Sequence, residues 1–274
     1  MAPDRHHPPT ERPPVKPYRT DIAWSSPDSI TVFGRSLPDE ILGHLSFGDM
    51  AFLELTARIP TPNESRMFNA MLVTLVEHGL TPSTIVARLT YLGAPEAMQA
   101  AVAAGLSGLG SVFVGSVEGS AKMLSEALPK PDQAAGLDDI ARAIVAKFAE
   151  TKAIIPGIGH PFHKPIDPRT PRLIQIAQET GFDGLYVKLI QKVAAEAGLA
   201  RKRDLPCNAT GILGALACEM GFDWKICRGL GVMARAVGIV GHILEESRSP
   251  IAADLWLRTE EEATRHLRPQ KTGD

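Results

Sequence analysis

Cysteine is scarce in this chain, which holds three: Cys207, Cys218 and Cys227. They form no Cys-x-x-Cys pair and no local Cys/His cluster, which argues against a structural zinc site, and no metal is expected. An odd thiol count and an N-terminus with no apolar signal core point to reduced cysteines, packed as small apolar residues, in a cytoplasmic protein. Aromatic residues make up 5% of the chain, which leans away from a β-sandwich. An excess of one charge is also missing: 29 Lys and Arg stand against 31 Asp and Glu, a formal charge of −2. That leaves no basic footprint for nucleic acid, while a local basic pocket for a small anion stays open. No uninterrupted apolar run reaches the ~18 residues of a membrane span. Neither nucleic acid nor a membrane is an expected partner.

What is abundant is Ala, Leu and Gly, the composition of helices packed through small residues. The 274 residues are 44% hydrophobic and 22% charged, ordinary for a globular protein with a sizeable core. At roughly 150 residues per domain, the length suits one large domain or two modest ones. Residues 1–20, punctuated by prolines between basic side chains, read as a disordered tail, and 267–274 as a second one. Residues 21–266 carry the fold, which reads as all-α. Thr61-Pro62-Asn63-Glu64 is a helix start with a capping box, followed by an apolar stripe from Met67 to Val76 and a stop at Gly79. Thr81-Pro82 and Thr170-Pro171 repeat the start signal. Further helices are expected near 38–45, 46–58, 95–107, 115–128, 137–150, 182–198, 208–220 and 224–248. Residues 30–34 read as one short strand, paired near 22–24 in an N-terminal hairpin. In 224–248 the run of glycines, each costing about 1 kcal/mol against Ala in a helix, implies that a backbone or a ligand approaches closely.

Gly157-Ile158-Gly159-His160 follows Pro156 and precedes Pro161-Phe162-His163-Lys164. It lacks the third glycine and the strand–helix setting of a dinucleotide fingerprint. Alone it is either a ligand-approach loop or a turn whose His caps a helix. With Asp167-Pro168-Arg169 behind it, the stretch resembles the catalytic-His loop of the citrate synthase superfamily, and especially the citryl-CoA lyase module of ATP-citrate lyase. Four more segments agree in order: Glu77-His78-Gly79; Pro82-Ser83-Thr84 with Ala87-Arg88; Gly110 to Leu124; and Arg235 to His242. The likeness covers roughly residues 22–258.

The resemblance implies a helical homodimer, with a smaller CoA-side part inserted in a larger one, that makes or breaks the bond between the acetyl-CoA methyl carbon and a 2-oxo acid. No cofactor would be held permanently; a coenzyme A thioester would be the substrate. It implies that His160 hydrogen-bonds the oxo-acid carbonyl or citryl hydroxyl, and that His78 and Arg235 meet substrate carboxylates. It places Phe113 and Asn208 beside the substrate, and Gly157, Ile158, Gly159, His163 and Lys164 beside CoA. Plainer readings stand next to these: His78 as a helix C-cap, Arg235 in a buried salt bridge, and His163 and His242 as structural. Two departures matter. Phe113-Val114-Gly115 stands where citrate synthases have His-Gly; the resemblance gives the lyase module Phe there too. Thr210, in Asn208-Ala209-Thr210-Gly211, stands where the family has its catalytic Asp, and a hydroxyl cannot serve as a carboxylate base; Asp204 and Glu118 are the nearest acids in sequence. The expected activity is retro-Claisen cleavage of citryl-CoA, or a related 3-hydroxy-acyl-CoA, to acetyl-CoA and an oxo acid such as oxaloacetate. A non-catalytic CoA-binding relative and a citrate or 2-methylcitrate synthase are the alternatives.

Overall fold

The computed structural model describes residues 17–129, 136–160 and 163–268. Most of the expected N-terminal tail, residues 269–274, and Pro161 and Phe162 of the histidine loop lie outside the described residues. The chain divides into two compact units, Met1–Pro60 and Thr61–Asp274.

The first unit opens with an antiparallel sheet of β1 (Ala23–Ser25), β2 (Ile30–Val32) and β3 (Arg35–Ser36), in that order, with Ala23 opposite Val32 and Thr31 opposite Ser36. The expected strand over 30–34 stops at Val32, because Phe33 and Gly34 both take positive φ (47° and 77°) and turn the chain into β3. The helix expected near 38–45 is a single π-helical turn, Leu37–Ile41, after which Leu42 is extended and Gly43 has φ 79°. Helix α1 (Phe47–Thr56) starts on a capping box between Ser46 and Asp49. Val32, Ile41 and Leu53 form this unit's core, with Leu37, Leu45 and Met50 packed on it.

The second unit is helical: α2 (Pro62–Val76), α3 (Pro82–Gly93), α4 (Met98–Ser107), α5 (Gly115–Ala127), α6 (Leu137–Glu150), α7 (Arg169–Thr180), α8 (Leu185–Arg201), α9 (Ala209–Glu219), α10 (Cys227–Arg248) and α11 (Ala252–Thr264). Of the three Thr-Pro starts, Thr61 and Thr81 both stand at a helix N-terminus with proline in the first turn, and Thr61 adds the side-chain cap, accepting the N–H of Glu64. Thr81 makes no cap bond to α3. Thr170 lies inside α7 and donates its hydroxyl to the Cys207 carbonyl at 3.2 Å.

The long α10 packs against α2, α3, α4 and α5 and buries Leu230, Ala234, Gly238 and Ile239 among others. Gly238 must be small, since a Cβ there would strike the Val76 carbonyl and Glu77. Residues 224–248 are long and apolar enough to cross a membrane (mean hydropathy 1.3), but the stripe lies against neighbouring helices and carries Arg235 and Glu246 inside, as a core helix does. Cys207 and Cys227 are buried, and burial lifts the Cys218 and Cys227 thiols to about 12, so they are inert packing groups at neutral pH.

Helix α11 was not expected, because no local cap residue announces it. Its N-terminal amides are satisfied from the preceding helix: Glu246 Oε1 accepts the N–H of Ile251 (3.0 Å) and Ala252 (2.8 Å). The other oxygen of Glu246 accepts Arg88 Nη1 at 2.8 Å, and both side chains are buried. Glu245 also pairs with Arg88, so removing Glu246 strips the buried guanidinium of one of its two carboxylates and leaves the α11 amides unmet, at a cost of about 3 kcal/mol. Glu246→Ala is therefore expected to lower the melting temperature by about 6–12 °C, and to speed amide hydrogen exchange at Ile251 and Ala252. An unchanged melting temperature would count against the arrangement.

Candidate active site

Backbone contacts lay the glycine loop against the start of α9. Gly159 N–H donates to the Pro206 carbonyl (2.8 Å) and Asn208 N–H to the Gly157 carbonyl (2.9 Å), with a bridge between Ile158 and Cys207. Gly157 has φ 82°, and a Cβ there would collide with the Cα of Gly211, so only glycine allows this approach. Asn208 caps α9: its Oδ1 accepts Gly211 N–H (3.1 Å) and the Thr210 hydroxyl (2.7 Å), while Nδ2 donates to the Gly159 carbonyl (2.5 Å). Asn208, placed beside the substrate by the resemblance, is thus a lock between loop and helix, and Thr210 lends its proton to that lock.

Asp167 anchors the other end of the loop. Fully buried, it accepts Arg169 through Nε (3.0 Å) and Nη2 (2.9 Å), the Arg169 N–H (3.1 Å) and the N–H of Ala209 (3.0 Å). Burial by itself would raise its pKa, but these donors outweigh it and hold the carboxyl down at about 2.

Above this anchor three imidazoles gather. His78 Nε2 lies 3.2 Å from His163 Nε2, and the His160 and His163 rings pack with centroids 4.4 Å apart. One nitrogen from each ring falls within 4.8 Å of the others, and these are the residues among those described that could hold a metal ion. The backbone N–H of His163 donates to His160 Nδ1 at 3.0 Å. An N–H only donates, so a neutral His160 carries its proton on Nε2 and presents a donor there. Neutrality is favoured for His160 by burial and by the neighbouring His163, and for His78 by burial and the charge of Arg169; both pKa values lie below the ordinary one.

Two guanidiniums complete the cluster. Buried Arg235 donates Nε to the Leu75 carbonyl (3.2 Å) and Nη1 to the Thr81 hydroxyl (3.4 Å), so Thr81 serves the arginine. It is no salt-bridge partner among the described residues. Burial lowers its pKa, and Glu77 partly offsets this. Arg169, which the sequence reading quoted without a role, bears on both His78 and His160. Behind His78, Glu77 Oε2 accepts the N–H of His78 and Gly79 (both 3.2 Å), while His242 Nε2 lies 3.1 Å from Glu77 Oε1. Arg88 donates Nη2 to His242 Nδ1 at 2.9 Å, which fixes the His242 proton on Nε2, facing Glu77. His242 thus bridges Arg88 and Glu77.

Lys164 is exposed beside Pro165 and Ile166, which line a groove of about 910 Å³ with Leu199, Lys202, Arg203 and Leu205. Sequence reading missed Lys202 and Arg203; the signal was a dibasic pair at the end of α8. Phe113 is half-exposed before α5. Among the described residues, no hydrogen bond or ring contact ties Phe113 or Lys164 to the imidazoles. Of the two candidate substitute acids, Asp204 lines the groove, and Glu118 is held by Arg228 at 2.8 Å.

The family model described as the citrate synthase C-terminal domain matches residues 38–254. The structure of citryl-CoA lyase from Hydrogenobacter thermophilus is similar with a TM-score of 0.76 at 35% identity, covering 84% of this chain and 87% of that one. ATP citrate lyase from Methanothrix soehngenii, in complex with citrate and coenzyme A, has a TM-score of 0.70 at 21% identity over 86% of this chain and 40% of its own, a likeness of fold alone. Citrate synthase 2 of Bacillus subtilis (strain 168) is 26% identical over 193 residues, 70% of this chain. The chain spans about half the length of the curated relatives it matches first.

Asp167 also sets a pH signature. Its folded pKa of about 2 lies below the ordinary 3.8, so its stabilisation is fully present above about pH 4 and is lost as pH falls toward 2. Asp167→Asn is expected to cost about 3 kcal/mol at pH 7. The gap between the variant's and the parent's denaturation midpoints should close as pH drops from 4 to 2. A gap that stays constant would contradict the assignment.

Proposed function

This chain belongs to the citrate synthase family, whose members are lyases or acyltransferases, and from that premise we propose that it cleaves citryl-CoA, or a related 3-hydroxy-acyl-CoA, to acetyl-CoA and an oxo acid such as oxaloacetate. The observation that carries this reading is the convergence of three imidazoles and two guanidiniums, with Asp167 and Glu77 beside them already committed to other donors. Such a pocket suits a substrate with two or more carboxylates: Arg235 and Arg169 offer charge-assisted donors, and His78 a further one.

Cleavage breaks the bond between the carbinol carbon and the acetyl carbon. The electron pair passes to the thioester as an enolate, and the hydroxyl oxygen becomes a carbonyl. His160 Nε2–H, in the tautomer set by the His163 amide, is suited to hold that oxygen as its charge changes. The neighbouring groove, with Lys164, Lys202 and Arg203 at hand, suits the phosphates of CoA. Thr210 offers no carboxylate for the proton exchanged at the acetyl carbon, in cleavage or in condensation, so another group must carry it. The same residue favours the alternative of a relative that binds without turnover, and the assay below separates the two.

The test follows acetyl-CoA from citryl-CoA by mass spectrometry, beside thiol release from acetyl-CoA plus oxaloacetate. Acetyl-CoA formation is expected, and His160→Ala should slow it by about 10²–10⁴-fold with the fold intact. Charge reversal at Lys202 and Arg203 should weaken CoA binding by about tenfold, more at low salt. Binding of citryl-CoA with no turnover would replace the lyase reading with the non-catalytic one; thiol release alone would make the protein a synthase.

A homodimer is part of the same proposal. Val237, Val240 and Leu244 leave an exposed apolar stripe on α10, and a Cβ added at Gly241 within it would meet open space. Light scattering at micromolar concentration should read twice the chain mass of 29.4 kDa; a monomer mass would remove this part.

A further inference from the structure

Cleavage of a 3-hydroxy-acyl-CoA moves one proton. It leaves the hydroxyl oxygen as the carbonyl forms, and one must arrive at the acetyl carbon as the enolate closes to a methyl group. A single base can do both, because its conjugate acid is the donor the enolate needs. The question is which group in this pocket holds an available lone pair.

Elimination narrows the choice. Asp167 takes four hydrogen bonds from Arg169 and from two backbone amides. Glu77 is held by His242 and by two amides, and Glu118 by Arg228. The Thr210 hydroxyl is no base, and it donates to Asn208. His160 has its Nδ1 lone pair on the His163 amide, so it presents a donor. The remaining pair is His78 and His163, whose Nε2 atoms face each other at 3.2 Å. A contact between two neutral imidazole nitrogens uses one proton and one lone pair, so the pair keeps one lone pair and one proton on its two Nδ1 atoms. His78 sits in the field of Arg169 and Arg235, where carboxylates belong, and its turn is pinned by Glu77. His163 rides on the loop itself, packed on the His160 ring that would hold the substrate oxygen.

We propose that His163 is the catalytic proton carrier of the cleavage: its imidazole takes the hydroxyl proton as the carbon–carbon bond breaks and returns a proton to the enolate carbon. The step balances without a carboxylate at position 210, with His160 holding the oxygen throughout. The inference rests on the lyase reading above.

The test compares the parent enzyme, His163→Ala and His163→Gln on citryl-CoA, with and without added imidazole. Both variants should bind citryl-CoA within about threefold of the parent and lose about 10²–10⁴-fold in kcat. Imidazole in solution should restore a substantial part of the His163→Ala rate, because it fits the vacated space and supplies the missing base. It should not restore His163→Gln, whose amide fills the space. A purely structural role would show as weakened binding in both variants and no rescue, and that result overturns the proposal. So does a folded His163→Gln enzyme, checked by circular dichroism, with near-parental kcat. A parent enzyme that does not cleave citryl-CoA fails at the lyase reading, and the carrier falls with it; an active parent with an indifferent His163 fails the carrier alone.

Discussion

The site depends on one buried carboxylate. Asp167 joins three things that are separate in the sequence: the end of the histidine loop, the guanidinium of Arg169, and the first amide of α9. A charge taken out of water is costly unless it is fully hydrogen-bonded, and here all the donors come from groups whose positions matter to the pocket. Thr170 adds a second tie from α7 to the Cys207 carbonyl, one residue before the α9 cap. With α7 and α9 locked together, the strand-like contact of Gly157–Gly159 with 206–208 has a fixed floor, and the imidazoles are held over it.

Charge balance then decides what the pocket suits. Asp167 and Glu77 spend their oxygens on donors that hold the loop and the turn, which leaves the imidazoles with Arg169 and Arg235 to meet an anion. The neutral form of His160 matters as much as its position, because a donor at Nε2 fixed by a backbone amide needs no rearrangement as charge develops on a bound oxygen. Behind His78, the chain from Arg88 through His242 to Glu77 holds a turn that closes on Gly79, which has φ 72°. The buried part of α10 thereby positions a residue on the opposite side of the cluster.

Much of this was legible in the sequence where the signal is local. The loop from Gly157 to Arg169 is one contiguous motif, so its histidines and the Asp-Pro-Arg anchor were visible together, and the long amphipathic helices followed from their periodicity. What was not legible is carried by contacts between distant residues. Nothing near Ile251 announces α11, because its cap comes from a glutamate facing Arg88 across the helix packing. Thr81 and Thr170 look like caps, yet their hydroxyls are drawn to Arg235 and to Cys207. The ties of the Asn208 side chain to the Gly159 carbonyl and to Gly211 are likewise contacts that its place in the sequence does not announce.

The central claim is that the imidazole–guanidinium cluster is a seat for a polycarboxylate. The direct measurement is a titration of the protein with citrate in the presence of coenzyme A, followed through the imidazole nitrogens by long-range proton–nitrogen NMR. The account predicts saturable shifts at His78, His160 and His163 together, abolished in Arg235→Gln, with His242 little moved. Binding that leaves the three imidazoles unshifted, or shifts that persist unchanged without Arg235, would contradict it.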